Sequence, residues 1–391
     1  MDQAERRPVN GTATPRPLQG IRVLTLEQFG AGPYGTMFLA ELGAEVIKIE
    51  PPEGDPSRQV GPHMLGQDDS EYFQAWNLGK KSVTLDLKSE QGRRQFETLV
   101  KSADCVVNNM RGTQPARLGL DYASLKSLKP SIVCLHISAY GRDNDRKDWP
   151  GYDFLMQAEA GLMELTGDPD GPPTRVGVSL IDSMSGLTGI VGLLSCLLRA
   201  RTTGQGCDVD TCLYDVAMHQ LTYPGLWYLN EGDVSPRVPR SAHLSLAPVQ
   251  TFPTADGWIF IMCMTQKFWL ALCEALGCAG FVADPRFADP GLRAKNRAAL
   301  TEALDPIFRT RTTEAWLAAL NGLLPAAPVY RLDQALDSGF ARASGMVAAV
   351  PHPAKGELHV LANPLRIDGE RLAQAACAPL GADNESLLSK G

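Results

Sequence analysis

Short apolar runs alternate with helix-like stretches over the first part of this chain. The runs are rich in β-branched residues, and they are Ile21–Leu26, Glu45–Ile49, Val83–Leu87, Cys105–Asn108 and Ile132–Ile137. Stretches such as Tyr34–Leu42 and Glu90–Lys101 separate them. Strands that alternate with helices build a parallel sheet with helices on both faces. The pattern therefore predicts an α/β fold with a Rossmann-like open parallel sheet. The turn after the first run, Gly30–Gly35, is not expected to bind a nicotinamide cofactor.

A change in composition divides the chain into domains. The segment Tyr223–Pro239 is rich in proline, glycine and arginine, which is typical of a linker. We expect a loose arm at residues 1–16, a large domain at 17–222, a linker at 223–240, a smaller α+β domain at 241–330 and a further segment at 331–391. Predicted elements beyond the linker are Val249–Phe252, Ile259–Met264, Phe268–Leu276, Leu300–Ile307, a turn at Leu324–Pro328, and strands at Met346–Val350, Leu358–Leu361 and Leu365–Ile367.

Composition and charge exclude several kinds of partner. A net charge of −7 argues against a nucleic acid or a membrane surface as the main partner. The nine cysteines form no Cys-x-x-Cys pair and the six histidines no His-Glu-x-x-His motif, so no metal site is expected. We expect no apolar run of the roughly 18 residues that cross a bilayer, and residues 1–16 carry no apolar signal region. A cytoplasmic location follows as an expectation.

The segment Arg175–Gly189 places one carboxylate, that of Asp182, between an apolar run and several small residues. The apolar residues from Val176 to Ile181 predict a short buried strand, and the small residues allow a helix to begin beside Asp182 and continue through Cys196–Leu198. The positive end of a helix favours an ionised, nucleophilic carboxylate. An aspartate that only caps the helix fits the same local pattern.

Short motifs follow one another along nearly the whole chain. They are Leu18–Leu26, Ala31–Pro33, Leu42–Glu50, Gly54–Arg58, Asn77–Lys88, Val106–Arg111, Arg117–Tyr122, Gly151–Asp153, Gly161–Met163, Thr166–Gly167, Asp170–Pro173, Thr203–Gly206 and Asp208–Asp210. In this order they resemble the class III CoA-transferase family of the CaiB/BaiF type, another branch of which contains α-methylacyl-CoA racemases. The resemblance implies a homodimer of interlocked subunits, and a tail that returns to complete the large domain.

The resemblance also assigns roles to residues. It implies that Asp182 is the catalytic nucleophile and that coenzyme A enters as an acyl-CoA substrate, with no permanently bound cofactor. The positions that it places along the CoA path are Gly30, Ala31, Leu85, Lys88, Asn109, Met110, Arg111, Arg117, Tyr152 and Asp153. Arg111 and Arg117 are the strongest phosphate partners, because a guanidinium binds two phosphate oxygens at once. Lys88 is either a phosphate contact or a solvated lysine at the end of a strand, and the same two alternatives stand for Arg58 after Gly54-Asp-Pro-Ser57.

Tyr152 distinguishes two branches of the family. Racemases carry histidine in the element that reads Gly151-Tyr152-Asp153 here, and they use it to move an α-proton. A phenol with a reference pKa near 10 is a poor shuttle at neutral pH. The sequence therefore favours transfer of CoA between an acyl-CoA donor, such as succinyl-CoA, and a carboxylic acid through an aspartyl-CoA thioester. An acyl-CoA racemase or epimerase and a non-catalytic CoA-binding protein remain as alternatives.

The acceptor acid is predicted from a loop in the smaller domain. The segment Pro239–Pro248 lacks the glycine-rich loop of the formyl-CoA:oxalate branch and is similar to branches that use dicarboxylates. Arg240 is a candidate to bind the distal carboxylate, and His243 is a candidate to contact the same substrate. A solvent-facing arginine in a proline-rich linker fits the pattern equally well.

Overall fold

The computed structural model describes residues 16–388. Apart from Arg16, the predicted N-terminal arm lies outside the described residues. The chain divides into two compact units. The first unit contains the described residues up to Met156, Ser179–Met218 and the described residues from Gly345 onward; the second contains Gln157–Val178 and His219–Ser344.

A six-stranded parallel sheet forms the centre of the first unit, in the order β3-β2-β1-β4-β5-β6. Its strands are β1 (Arg22–Leu26), β2 (Glu45–Glu50), β3 (Lys81–Thr84), β4 (Cys105–Asn108), β5 (Val133–Ser138) and β6 (Cys207–Cys212). Five of them confirm the predicted runs, and the α/β class is confirmed with them. β3 begins and ends earlier than expected, so that Leu85–Leu87 have already left the sheet. The strand order reverses between β1 and β4: successive strands are added on one side of β1 up to β3, and on its other side from β4 onward.

Helices of the first unit pack around this sheet. They are α1 (Ala31–Glu41), α2 (Glu71–Asn77), α3 (Glu90–Ser102), α4 (Gln114–Arg117), α5 (Tyr122–Leu125), α6 (Asp153–Glu159), α7 (Leu180–Thr203) and α8 (Leu213–His219). The apolar core between the sheet and α3 is formed by residues such as Leu24, Ile47, Phe96 and Val106. Strand residues on both faces of the sheet are buried, which explains why the sequence of each strand is a continuous apolar run.

The strand predicted over Val176–Ile181 is wrong. This segment is an extended loop up to Ser179, and α7 begins at Leu180. Val178 is exposed rather than buried. The apolar run therefore belongs partly to a loop and partly to the first turn of a helix, which periodicity over six residues does not distinguish.

The helix α7 is long and apolar enough to cross a membrane by length and composition, contrary to the expectation that no such run exists. In the described residues one side of it packs against α1, β5 and β6. Buried core helices meet the same length and composition criteria, so this finding is weak evidence for a span.

The second unit has a three-stranded antiparallel sheet, β7 (Val249–Pro253), β8 (Trp258–Met262) and β9 (Ala326–Pro328). Its helices are α9 (Thr222–Glu231), α10 (Gln266–Ala275), α11 (Gly280–Ala283), α12 (Pro290–Lys295), α13 (Arg297–Phe308), α14 (Thr313–Leu320), α15 (Leu332–Leu336) and α16 (Gly339–Ser344). Buried aromatic residues such as Trp269 and Trp316 fill its core.

Three parts of the second unit differ from the expected layout. The first half of the predicted linker belongs to the helix α9. The predicted turn at Leu324–Pro328 contains β9, which pairs with β8. Residues 157–178, expected in the large domain, belong to the second unit, where Arg237 donates hydrogen bonds to the carbonyl oxygens of Asp168 and Gly171.

The chain returns to the first unit after Gly345. Its elements are β10 (Val347–His352), β11 (Gly356–Leu361), β12 (Arg366–Ile367), β13 (Glu370–Arg371) and α17 (Asn384–Leu388). Residues 381–388 lie along the outer edge of β3. There the N–H groups of Ser82 and Thr84 donate to the side chains of Asp383 and Asn384, at 3.0 and 2.8 Å. These contacts give the edge strand partners for its outward N–H groups.

Candidate active site

A cavity of about 330 Å³ opens where β1 and β4 end. Ligands of open parallel sheets bind at the carboxyl ends of the strands where the strand order reverses, and β1 and β4 are the two strands on either side of that reversal. The side chain of Asp182 lies in this cavity. Residues that line it with Asp182 and were named from the sequence are Gly30, Ala31, Asn109, Met110, Arg111 and Tyr152.

Close packing of α1 against α7 brings Asp182 into the cavity. A β-carbon at Gly35 would lie 2.7 Å from the carbonyl oxygen of Gly186, so the two helices approach each other through glycine. A β-carbon at Gly30 would overlap the carboxylate of Asp182. The glycines of the Gly-x-Gly-x-x-Gly spacing at residues 30–35 thus serve helix packing and leave space for the carboxylate.

Asp182 lies in the first turn of α7 and is accompanied by a second carboxylate. Its backbone N–H donates a 2.9 Å hydrogen bond to Oδ2 of Asp153, which is buried. Burial, and then the charge of Asp153, raise the pKa of Asp182 to about 7. The sequence predicted the opposite direction from the helix end alone. Desolvation outweighs the helix end here, so Asp182 exchanges its proton near neutral pH.

The N-terminus of α1 faces the same cavity. Gly30 is its N-cap residue and no side chain caps the helix. Gly30 and Ala31 line the cavity together with Asp182. Uncapped N–H groups at a helix N-terminus attract negative charge and can stabilise an oxyanion that forms beside them.

A second cavity, of about 510 Å³, adjoins the first along the ends of β1 to β4. Leu85 and Lys88 line it, and Asn109 and Met110 line both cavities. The side chain of Asn109 accepts a hydrogen bond from the N–H of Gln28 at 3.0 Å and donates one to its carbonyl oxygen at 2.6 Å. These two bonds fix the loops that follow β1 and β4 relative to each other.

Not all of the predicted cations reach these cavities. Arg111 lines the first and Lys88 the second, whereas Arg117 is exposed on α4 and lines neither. Arg58 is fully buried and binds both carboxylate oxygens of Glu50, at 2.7 and 2.8 Å. Its guanidinium also stacks on Phe73. The reading of Arg58 as a phosphate contact is therefore wrong, because its donors are already occupied.

Tyr152 lies at the mouth of the first cavity. Its side chain is 59% exposed and its ring meets the ring of Phe29 edge-on, with centroids 6.2 Å apart. Two further lining residues, Gln28 and Trp149, were not predicted. Gln28 directly follows the first apolar run, and the position after a parallel strand is the signal that could have identified it. We find no comparable sequence signal for Trp149.

Arg240 and His243 belong to the second unit. Nη2 of Arg240 pairs with Asp305 at 2.7 Å, and Nη1 has no partner. His243 stacks on Tyr223 and accepts a hydrogen bond from the N–H of Ser245 at Nδ1. Burial, and then Arg297, lower the pKa of His243, so its ring is neutral at pH 7. With Tyr223 it lines a cavity of about 300 Å³.

The described residues contain no group of three or more histidine, cysteine, aspartate or glutamate side chains placed to hold a metal ion. The first cavity presents the mostly buried carboxylate of Asp182 and the end of a helix, with Arg111 among its lining residues. The second is lined by further acidic residues, among them the buried Glu27, Glu50 and Asp55, together with Lys88.

Comparison with known proteins identifies the family. The model of CoA-transferase family III matches residues 18–384. This chain belongs to CoA-transferase family III. As a member of that family it is an acyl-CoA:carboxylate CoA-transferase whose substrates are CoA thioesters.

Individual relatives of this family III CoA-transferase support the assignment. An acyl-CoA transferase of Fusarium pseudograminearum is 36% identical over 85% of this chain and 75% of its own length. A succinyl-CoA:mesaconate CoA-transferase of Haloarcula hispanica is 33% identical over 93% of each chain. Among solved structures, a CAIB/BAIF family protein from Brucella suis superposes with a TM-score of 0.85, at 32% identity over 96% of this chain and all of that one.

Proposed function

We propose that this CoA-transferase moves CoA from an acyl-CoA donor to a carboxylic acid through an aspartyl-CoA thioester at Asp182. The observation that carries the proposal is the position of this carboxylate, mostly buried in a cavity and next to the uncapped end of α1. Succinyl-CoA or a similar thioester is the proposed donor and a small dicarboxylate the proposed acceptor. The name of the Haloarcula hispanica relative, which pairs succinyl-CoA with mesaconate, supports that choice.

The reaction follows from what a carboxylate does to a thioester. An oxygen of Asp182 attacks the acyl carbon, the C–S bond breaks, and CoA leaves as a thiolate from a mixed anhydride. The thiolate attacks the carbonyl carbon of Asp182 and releases the donor acid, which leaves the aspartyl-CoA thioester. The acceptor carboxylate then runs the same steps in reverse and regenerates Asp182. Each attack forms a tetrahedral oxyanion, which the N–H groups of α1 are placed to stabilise.

The CoA moiety is proposed to extend over both cavities. Its adenine occupies the second cavity near Leu85, and its pantetheine arm passes Asn109 and Met110 towards Asp182. Lys88 and Arg111 supply positive charge where these cavities meet solvent, and Arg117 lies outside them as a further phosphate partner. Tyr152 and Asp153 complete the path beside the acyl group.

Recognition of a dicarboxylate acceptor is assigned to Arg240 and His243. Asp305 already neutralises part of the charge of Arg240, and Nη1 is buried without a hydrogen-bond partner, so a substrate carboxylate reaches this donor only when the side chain moves. We expect Arg240→Ala to raise the acceptor KM without changing the donor KM. An unchanged acceptor KM would remove Arg240 from the site.

A homodimer of interlocked subunits is part of the proposal. Large apolar side chains are exposed along α7 and α9, among them Val191, Leu198 and Leu229. Light scattering coupled to size-exclusion chromatography measures the mass directly, and a monomer would contradict the dimer.

Intact-protein mass spectrometry tests the covalent step. The protein is mixed with succinyl-CoA, then trapped with hydroxylamine or reduced with borohydride, and peptide mapping locates the modified residue. We expect modification at Asp182 in the wild type and none in Asp182→Ala, whereas Asp170→Asn, which changes an exposed aspartate, behaves as wild type.

A negative result with succinyl-CoA is followed by acetyl-, formyl- and longer acyl-CoA donors. If none of them modifies Asp182, the aspartyl-CoA route is rejected. Exchange of deuterium at the α-carbon of a 2-methylacyl-CoA would then indicate a racemase.

A further inference from the structure

Two buried lysines hold the turn that connects β1 to α1. Nζ of Lys80 donates to Oε1 of Glu27 at 2.7 Å and to the carbonyl oxygen of Pro33 at 2.9 Å. Nζ of Lys48 donates to the carbonyl oxygen of Glu27 at 2.7 Å and pairs with Asp55 at 2.8 Å. The turn is thus fixed at its start and at its end by ammonium groups that reach it from neighbouring elements.

The charges of this network are costly to bury. The side chains of Lys80 and Glu27 are both 0% exposed. Removing an ion from water costs several kcal/mol even in a relaxed protein, and apolar residues of similar volume often stabilise a fold as well as a buried ion pair does. Stability alone therefore does not account for a lysine–glutamate pair at this place, and its geometry needs a further explanation.

The turn itself is strained. Phe29 has a φ of 62°, in the left-handed region that non-glycine residues rarely occupy. Such strain costs on the order of 1–3 kcal/mol and persists only where surrounding contacts over-determine the conformation. The contacts here are the network of Lys80 and Lys48 on Glu27, and the two hydrogen bonds of Asn109 to Gln28.

The residue after Phe29 contacts the candidate nucleophile. Gly30 lies so close to the carboxylate of Asp182 that a β-carbon would overlap it, and α1 begins at the next residue. A shift of the turn therefore moves the N–H groups of α1 relative to Asp182. Misplacement of a catalytic group by about 1 Å can lower a rate by about 10²-fold.

We propose that Lys80 and Glu27 are positioning residues for catalysis at Asp182, because they hold the strained turn that sets the N-terminus of α1 against that carboxylate. This rests on the proposed function, in which those N–H groups stabilise the oxyanion. Neither residue lines the cavity that contains Asp182, so both act on that carboxylate through the turn. Glu27 also lines the second cavity, whereas Lys80 lines neither.

The charge state of Lys80 gives this arrangement a pH dependence. Burial, and next Lys48, lower the pKa of Lys80 to about 8. The groups that face it are Glu27 and Cys377, which raise the pKa, and Lys48, which lowers it. Glu41 is also within electrostatic reach, since the charge of Lys80 lowers the pKa of Glu41. When Lys80 loses its proton it keeps two of its N–H donors but loses the charge that pairs with Glu27, so the turn is held less firmly above pH 8.

The first test compares kcat and KM in three variants. Lys80→Met removes the ammonium group, and Glu27→Gln keeps the size of the side chain if the first variant does not fold. Glu45→Gln is the control, because Glu45 pairs with Arg22 and Lys81 at the amino ends of the strands and contacts neither Lys80 nor the turn. We expect at least a tenfold lower kcat in the first two variants, a KM for acyl-CoA within twofold of wild type in Lys80→Met, and a control like wild type.

The pH profile separates positioning from a purely structural role. The kcat of the wild type is expected to fall as pH rises through about 8, whereas Lys80→Met has a lower kcat without that alkaline limb. A folded Lys80→Met or Glu27→Gln protein with wild-type kcat overturns the proposal. A Lys80→Met protein whose kcat is lower but still falls as pH rises through about 8 overturns it as well.

A third measurement does not depend on turnover. A water-soluble carbodiimide labels protonated carboxyl groups, and the pH at which half of Asp182 is labelled reports its pKa. We expect the midpoint near 7 in wild type to move lower in Lys80→Met and in Glu27→Gln, because a relaxed turn admits water to Asp182. An unchanged midpoint in both variants rejects the positioning role, even if the chain forms no aspartyl-CoA.

Discussion

Gly30 occupies the space directly beside the carboxylate of Asp182, and no larger residue fits there without moving one of them. The contact joins the start of α1 to the first turn of α7, so it relates the proposed nucleophile to the proposed oxyanion donors.

Gly30→Ala is therefore expected to lower kcat by about 10²-fold, because the added methyl group displaces Asp182 or the end of α1. Steady-state kinetics with a saturating acyl-CoA measures the effect. Gly280→Ala is the control, since a β-carbon there meets no atom within 4 Å. Equal activity of both variants would show that this contact is not needed for the reaction.

Asp153→Asn is expected to move the acid limb of the activity profile to lower pH. Asparagine still accepts the hydrogen bond from the N–H of Asp182 but carries no charge, so the second cause of the raised pKa of Asp182 is removed. A shift of about one pH unit below 7 is expected, because burial still raises the pKa. An acid limb that stays at pH 7 would assign the raised pKa to burial alone.

Asp182→Asn is expected to stabilise the protein, and more so at pH 8 than at pH 5. The pKa of Asp182 is raised in the folded state, so the proton is bound more tightly there than in the unfolded chain, and folding loses stability as pH rises through about 7. The full penalty is on the order of 4 kcal/mol above pH 7, at 1.36 kcal/mol per unit. Urea unfolding at pH 5 and pH 8 measures how much Asp182→Asn raises the free energy of unfolding. If Asp182 were solvated, the increase would be the same at the two pH values.

Arg58→Ala is expected to lower the stability of the protein, whereas Arg117→Ala is expected to change only the KM for acyl-CoA. Loss of Arg58 leaves Glu50 buried without its cation, which costs about 3–5 kcal/mol of stability. Arg117 is exposed, so its loss leaves the free energy of unfolding within about 0.5 kcal/mol and raises the KM for acyl-CoA if it contacts a phosphate. Thermal unfolding and steady-state kinetics on the same samples separate the two outcomes.

The sequence predicted the strands whose residues are buried on both faces of the sheet. β4 was placed correctly because all four of its residues are buried, which produces an uninterrupted apolar run. β6 was not predicted as a strand, because it is the edge strand beside β5 and carries acidic residues. Asp208 pairs with His136 of β5, and Asp210 pairs with Arg142 in the loop that follows β5. The Asp-Val-Asp alternation has the period of two that is typical of a half-buried strand, so it could have indicated β6.

The buried ion pairs could not be predicted from the sequence. Arg58 followed a motif and was considered as a ligand contact, yet it is enclosed with Glu50. Lys80 was part of a motif without an assigned role, and only the fold shows that it reaches Glu27, which lies 53 positions away in the chain. The partner of a buried charge depends on the tertiary structure, which local pattern does not determine.

The contacts of residues 381–388 with β3 have a consequence for how the protein is made. The outward N–H groups of Ser82 and Thr84 depend on side chains that the ribosome adds about 300 residues later. Until then β3 is an open edge, and open edges template pairing with other chains. Nascent chains that stall before Asp383 are therefore expected to require a chaperone on this edge, although every other strand of the sheet has already been synthesised.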